Sequence, residues 1–145
     1  MNKLYDSLTT EQISVLQATE QTKQHAINDI IISIGDRNRD MMVIESGEVS
    51  IIYTDNSGNE LVIATLAQGD IIGEMNFVIP LRRTASIKAK TPTTIICYPY
   101  NELCQLIQKE TLLGAQLLKT INKLLSEKLY TTLLQLSKWE VGTHK

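Results

Sequence analysis

The sequence predicts a mainly β protein with some α: an antiparallel sandwich or small barrel, opened by a short helix and closed by a long one. Three observations predict it. From about residue 24 to Tyr98, short runs rich in Ile, Val and Thr alternate with Gly, Asp and Asn punctuation. Before them, Thr9 followed by Gln12 has the spacing of a capping box, in which each side chain bonds the other's backbone N–H. After Pro99 the apolar residues recur every three or four positions, the period of a helix face. The 145 residues suit one domain over 1–145, with a barrel over about 22–99 and C-terminal helices over about 100–138. With 43% apolar and 21% charged residues the composition is globular, which excludes disordered and low-complexity chains.

In chain order, a helix starts after Thr9 and carries Ile13 and Leu16 on one side. Strands are expected at 30–34, 41–45, 48–54, 60–66, 84–90 and 93–98. Gly35-Asp36, Ser46-Gly47-Glu48, Asp55 to Asn59 and Gln68-Gly69-Asp70 mark the turns between them. The stretch from Asp55 to Asn59 reads as a hairpin tip. Asn101 to Gln108 reads as a short helix, and Thr111 as the cap of a helix running to about Lys138. Leu113, Leu117, Ile121, Leu124, Leu125, Leu129, Leu133 and Leu136 form a stripe along it. Two fates are open for that stripe: folding back on the barrel, or pairing with a second copy as a homodimer.

Composition also narrows the function. Residues 1–108 hold 8 basic and 13 acidic side chains, and residues 109–145 hold 6 and 3. An acidic body gives no reason to expect nucleic acid, whose affinity comes from many phosphate-neutralising cations. No apolar run approaches the roughly 20 residues that span a bilayer, and the first residues lack a secretory pattern, so no membrane partner and a cytoplasmic location are expected. Cys97 and Cys104 lack metal or redox spacing and read as packing thiols. His25 and His144 are too few and too far apart for a metal cluster. Trp139, just past the stripe, reads as a packing residue. No catalytic triad or paired-carboxylate motif is present, so no catalytic residue, metal or cofactor is assigned and the protein is expected not to be an enzyme.

One segment carries chemistry. Arg82 to Lys90 holds four cations and no anion, and follows closely on Gly69-Asp70-Ile71-Ile72-Gly73-Glu74-Met75-Asn76-Phe77. The second stretch reads as a strand end, a glycine turn and a one-turn helix with free backbone N–H groups. Arg83 at the mouth of the next strand offers a two-pronged guanidinium, suited to two phosphate oxygens. Glu74 has no place in a bare phosphate site, whereas a ligand carrying hydroxyls beside its phosphate gives the carboxylate a donor to accept from. A phosphate with an adjacent sugar hydroxyl points to a nucleotide.

At these residues the sequence resembles the cyclic nucleotide-binding domains of catabolite activators, kinase regulatory subunits and cyclic-nucleotide-gated channels. Gly73-Glu74, Arg83 nine residues after the glutamate, and Ala85-Ser86-Ile87 resemble the family's phosphate-binding cassette. Asp29-Ile30-Ile31, Gly35-Asp36 and Val43 to Val49 resemble its early strands. The likeness runs from about residue 5 to 138 and implies a double-stranded β-helix, that is, a jelly-roll-like barrel, binding cyclic AMP or cyclic GMP as ligand.

By that resemblance Arg83 pairs with the cyclic phosphate and Glu74 takes the ribose 2′-hydroxyl. Backbone around Gly73, Met75 and Ala85 completes the phosphate shell, and Thr84 touches phosphate or a guanine amino group. The long helix becomes a lid over the base, with Lys128, Leu129 and Tyr130 as candidate contacts. Four departures stand out. Asn76 replaces a small residue and would crowd the cassette, Arg82 stands where many members have proline, Asn28 replaces a glycine, and Ile34 replaces an acidic residue. The function implied is a non-enzymatic sensor that signals through its C-terminal helix to an effector the sequence does not identify; the alternative is a ligand-free module for assembly. Because the chain stops where family regulators continue into a helix-turn-helix, no DNA partner is expected.

Overall fold

The computed structural model describes residues 2–143, with side chains through Lys138; the readings of Trp139 as packing and of His144 fall outside the described side chains. After a 3₁₀ turn at Lys3–Tyr5, α1 (Thr10–Gln17) begins at Thr9, where both bonds of the capping box form. Gln12 N–H donates to Thr9 Oγ1 at 3.1 Å, and Thr9 N–H donates to Gln12 Oε1 at 3.0 Å.

Eight strands follow: β1 (Gln21–His25), β2 (Ile30–Ile32), β3 (Met41–Ser46), β4 (Glu48–Thr54), β5 (Glu60–Ala67), β6 (Ile71–Ile72), β7 (Ser86–Ala89) and β8 (Thr93–Tyr98). Every pairing is antiparallel. They make two four-stranded sheets, ordered β1-β8-β3-β6 and β2-β7-β4-β5, the double-stranded β-helix of a jelly roll. Helix α2 (Glu74–Val78) interrupts the strands between β6 and β7. Helices α3 (Tyr100–Lys109) and α4 (Thr111–Thr143) close the described chain.

The two sheets have different surroundings, which explains their sequences. The β1-β8-β3-β6 sheet is covered on both sides. Met41, Val43, Ile96 and Tyr98 face a layer formed by the N-terminal segment, α3 and the first half of α4. Ile44, Ile72 and Ile95 face inward to Ile32, Val49 and Ile87 of the other sheet. Strands buried on both faces are apolar without alternation, as Met41 to Ile44 and Ile95 to Tyr98 are. β1 has the opposite character: Gln-Thr-Lys-Gln-His pairs with β8 along its whole length, from Gln21 beside Cys97 to His25 beside Thr93. It lies at a sheet edge, and its polar sequence gives no strand signal of its own.

Two turn positions behave as their residue types allow. Asn28 sits at φ 72°, so the asparagine takes the left-handed backbone that a glycine would take there. The Asp55 to Asn59 tip closes with Asp55 Oδ1 accepting from the backbone of Ser57 and Asn59, both at 2.9 Å.

The long helix differs from expectation in three ways. It extends to Thr143 rather than about Lys138. Thr111 lies inside it and does not cap it, because Glu110 O accepts the first bond, from Gly114 N–H at 2.7 Å. The stripe also divides: Leu113, Leu117 and Ile121 are buried in the barrel's outer layer, whereas every residue from Ser126 to Lys138 is exposed. The tight start has a local cause: a Cβ at Gly114 would lie 2.6 Å from Ile107 O, so only glycine lets α4 cross α3 this closely. Among the described residues no helix is long and apolar enough to cross a membrane.

Candidate functional site

The site is built where β6 ends. Gly73 sits at φ 84°, and a Cβ on it would lie 2.4 Å from Arg83 Nη1 and 2.8 Å from Asp40 O. Glycine is therefore required twice, for its backbone angle and for the guanidinium packed against it. The Gly73 carbonyl accepts from Phe77 N–H at 3.0 Å, starting α2, and buried Phe77 anchors that short helix. The chain then loops to Arg83, whose backbone is fixed by Arg83 N–H to Asp36 O at 2.7 Å and Gly35 N–H to Arg83 O at 2.8 Å.

The Arg83 side chain is only 4% exposed. Its Nη2 donates to Asp40 O at 2.7 Å and to Asn38 Oδ1 at 3.2 Å, and its Nη1 donates to Asn76 Oδ1 at 3.1 Å. Burial pulls its pKa below the usual arginine value, against the opposing pull of the Asp40 and Asp36 carboxylates. Its Nε is buried with no partner. A buried guanidinium N–H left unpaired is uncommon and marks a place where an acceptor is missing.

Glu74 is as deeply buried, at 4% exposure, and its Oε1 accepts from Lys128 Nζ of α4. Between the two lies a cavity of about 190 Å³. Gly73, Glu74, Met75, Arg83, Thr84 and Ala85, the six residues expected from sequence, all line it. Met75 and Thr84 are exposed at its rim. Ile32, Ile51, Leu66 and Ile87 form its apolar wall. Of the three lid candidates only Lys128 lines the cavity; Leu129 and Tyr130 are exposed. The arrangement offers a cation and a hydrogen-bond acceptor at separate points of a partly apolar cleft, which suits binding an anion with attached hydroxyls.

Asn76, expected to crowd the cassette, lines the cavity and bonds its arginine: its Oδ1 accepts from Arg83 Nη1 and its Nδ2 donates to Leu81 O at 2.8 Å, tying the loop ahead of the arginine. Arg82 is exposed and donates to Gly35 O at 3.1 Å, a structural contact at the cavity edge.

Sequence reasoning missed the polar turn Asn38-Arg39-Asp40. Besides its bonds to Arg83, this turn joins the cassette to α3. Arg39 donates to Asn76 O at 2.9 Å and to Phe77 O at 3.0 Å, and its guanidinium lies 4.1 Å above the Tyr100 ring. The Asp40 Oδ1 accepts from Tyr100 N–H at 2.7 Å, satisfying the first turn of α3. The only sequence signal was a run of charged and amide residues in a predicted loop. Cys97 lies nearby, buried, its thiol pushed up to about 11 by burial and by Asp40, so it is a packing residue with little thiolate.

A jelly-roll barrel with a buried arginine and a buried glutamate at one cleft has the form of a small-molecule-binding domain. The sequence matches the family described as the cyclic nucleotide-binding domain over residues 22–110, and the chain belongs to that family. It is 31% identical over 108 residues to the cAMP-activated global transcriptional regulator CRP of Pasteurella multocida, a match covering 74% of this chain and 50% of that protein. The chain thus spans about half the length of this relative. Among solved structures, the Thermus thermophilus catabolite activator protein superposes with a TM-score of 0.81 at 24% identity, covering 96% of this chain and 63% of that one. A cyclic nucleotide-binding domain from Methylobacillus flagellatus gives 0.82 at 24% identity, covering 90% and 74%. Both share the fold. The expectation of no DNA partner is overturned: the matched relatives include transcriptional regulators, and a chain spanning half of one says nothing through its last residue.

Proposed function

We propose that the cleft binds a cyclic mononucleotide, cyclic AMP or cyclic GMP, and that the protein is a non-enzymatic regulatory module reporting occupancy through α4. The observation that carries this reading is Arg83, a buried residue that lines the cavity and whose Nε has no partner. A cyclic phosphate oxygen supplies the missing acceptor. Glu74 then takes the ribose 2′-hydroxyl, the backbone near Gly73, Met75 and Ala85 closes around the phosphate, and Thr84 contacts phosphate or base.

A second reading, a ligand-free assembly module, has one observation in its favour: Glu74 and both terminal nitrogens of Arg83 are already bonded within the chain. Titration calorimetry with cyclic AMP and with cyclic GMP separates the two. Saturable binding of either supports the sensor, and no heat with either supports the module. The exposed second half of α4, with Leu129, Leu133 and Leu136, is read as the seat of a two-fold homodimer. A monomeric mass by light scattering at tens of micromolar would remove that part.

A further inference from the structure

Helix α2 cannot close its own last turn. The Asn76 carbonyl would take its bond from position 80, which is proline and has no N–H. The Phe77 carbonyl would take its bond from Leu81, whose N–H turns instead to Ile79 O at 2.8 Å. Arg39 supplies both missing donors, Nε to Asn76 O and Nη2 to Phe77 O. Its guanidinium is held in turn by the Tyr100 ring of α3, 4.1 Å away, against which the Phe77 ring also packs edge-on.

The neighbours of Arg39 in sequence hold the other end of the cleft. Asn38 Oδ1 and Asp40 O both accept from Arg83 Nη2. Asp40 leads into β3, whose Met42 pairs with Ile72 just ahead of α2. One three-residue turn thus holds the buried arginine through its outer residues and the helix bearing Glu74 through its middle one. Glu74 Oε1 is bonded to Lys128, and its second carboxylate oxygen has no hydrogen-bond partner among the described residues, which leaves that oxygen for a ligand.

We infer that Arg39 is a positioning residue that sets the spacing between the two ends of the cleft. It does not line the cavity and acts only through α2. A helix of five residues is too short to keep its shape alone. With its last turn anchored, Glu74 stays at a fixed distance from Arg83, and one ligand engages both without first ordering the loop between them. The ligand half of this inference rests on the nucleotide reading above.

The test uses the full chain and the variants Arg39→Ala, Arg39→Lys and Tyr100→Phe. Calorimetry with the tighter-binding of cyclic AMP and cyclic GMP, and with its 2′-deoxy analogue, gives the share of affinity owed to the hydroxyl. Amide hydrogen exchange at Phe77 and Ile79, whose N–H groups bond to Gly73 O and Met75 O, reports the helix without any ligand. Arg39→Ala is expected to exchange faster there and to weaken the cyclic nucleotide about tenfold, a strong coupling within one hydrogen-bond network. The deoxy analogue should change much less, because only a ligand that uses Glu74 depends on the spacing. Arg39→Lys, which keeps the charge without the planar fork, falls between Arg39→Ala and wild type, and carries the comparison if the alanine variant does not fold. Tyr100→Phe keeps the ring face and behaves as wild type. Equal weakening of both ligands, or no weakening of either, would overturn the inference. If the wild-type chain binds no nucleotide, exchange alone decides: faster exchange in Arg39→Ala keeps the positioning role and removes the nucleotide reading, and unchanged exchange removes both.

Discussion

The two ends of the cleft are built on different principles. Arg83 is held by parts that do not move independently: a backbone carbonyl of Asp40, amide side chains of Asn38 and Asn76, and backbone bonds to Gly35 and Asp36. Glu74 is held by one flexible lysine reaching over from a helix that is leaving the barrel. The first end is preorganised, with its geometry fixed before a ligand arrives. The second is exchangeable, since its one partner can be replaced by another donor. A sensor needs both, because a site rigid throughout binds without reporting and one loose throughout binds weakly.

The largest expected effect lies at the rigid end. Arg83→Ala removes the buried cation, and losing one partner of a desolvated charge pair costs about 2–5 kcal/mol. That is roughly thirty- to several-thousand-fold in Kd, measured by calorimetry. A variant within twofold of wild type would move the phosphate elsewhere and end the comparison.

Glu74→Ala acts on the exchangeable end. The ribose hydroxyl loses a charged acceptor, a loss of about 1.5–3 kcal/mol. A cyclic nucleotide should therefore bind more weakly to the variant, while its 2′-deoxy analogue, with no hydroxyl to lose, binds about as well as to wild type. Equal weakening of both ligands would mean that Glu74 only supports α2.

Gly73→Ala joins the two ends, since Gly73 precedes Glu74 and lies against Arg83. The left-handed backbone costs an ordinary residue about 1–2 kcal/mol. The added methyl must also push the guanidinium away from Asn76 and Asp40. Both melting temperature and nucleotide affinity should fall. Lower stability with wild-type affinity would show the Arg83 cradle to be less rigid than its bonds suggest.

The same contrast decides what was legible in the sequence. Local signals were readable. The cassette spacing, the capping box at Thr9, the Asp55 tip and the six strands with apolar patterning all depend on residues close in sequence, and the structure contains them. The brace around Arg83 was not readable, because Asn38 and Asp40 stand 45 and 43 positions away from it and become partners only once the sheets are paired. Asn76 was only half legible for a related reason: its size was visible, but the arginine it bonds, brought back to it by the loop after α2, was not. β1 was hidden because β8 supplies its partners and the strand itself buries almost nothing. On α4 the periodicity located a stripe correctly but carried no information on where its cover ends, since leucines before and after Leu125 look alike in sequence.

Thr84 tests where the boundary between the two ends falls. It follows Arg83 directly, lines the cavity, is exposed, and forms no hydrogen bond within the described chain. Its backbone belongs to the fixed segment running into β7, while its hydroxyl is free to rotate toward either the phosphate or the base. If it reads the base, Thr84→Ala should weaken cyclic GMP selectively, by about 1 kcal/mol for a neutral hydrogen bond to the guanine amino group, and leave cyclic AMP unchanged. If it serves the phosphate, both ligands lose the same amount, since their phosphates are identical. Thr84→Ser, which keeps the hydroxyl and drops only the methyl, should restore wild-type values in either case. Parallel titrations of the three proteins with both nucleotides give the answer: a selective loss extends the exchangeable end across the cleft to β7, and a uniform loss confines it to Glu74 and Lys128.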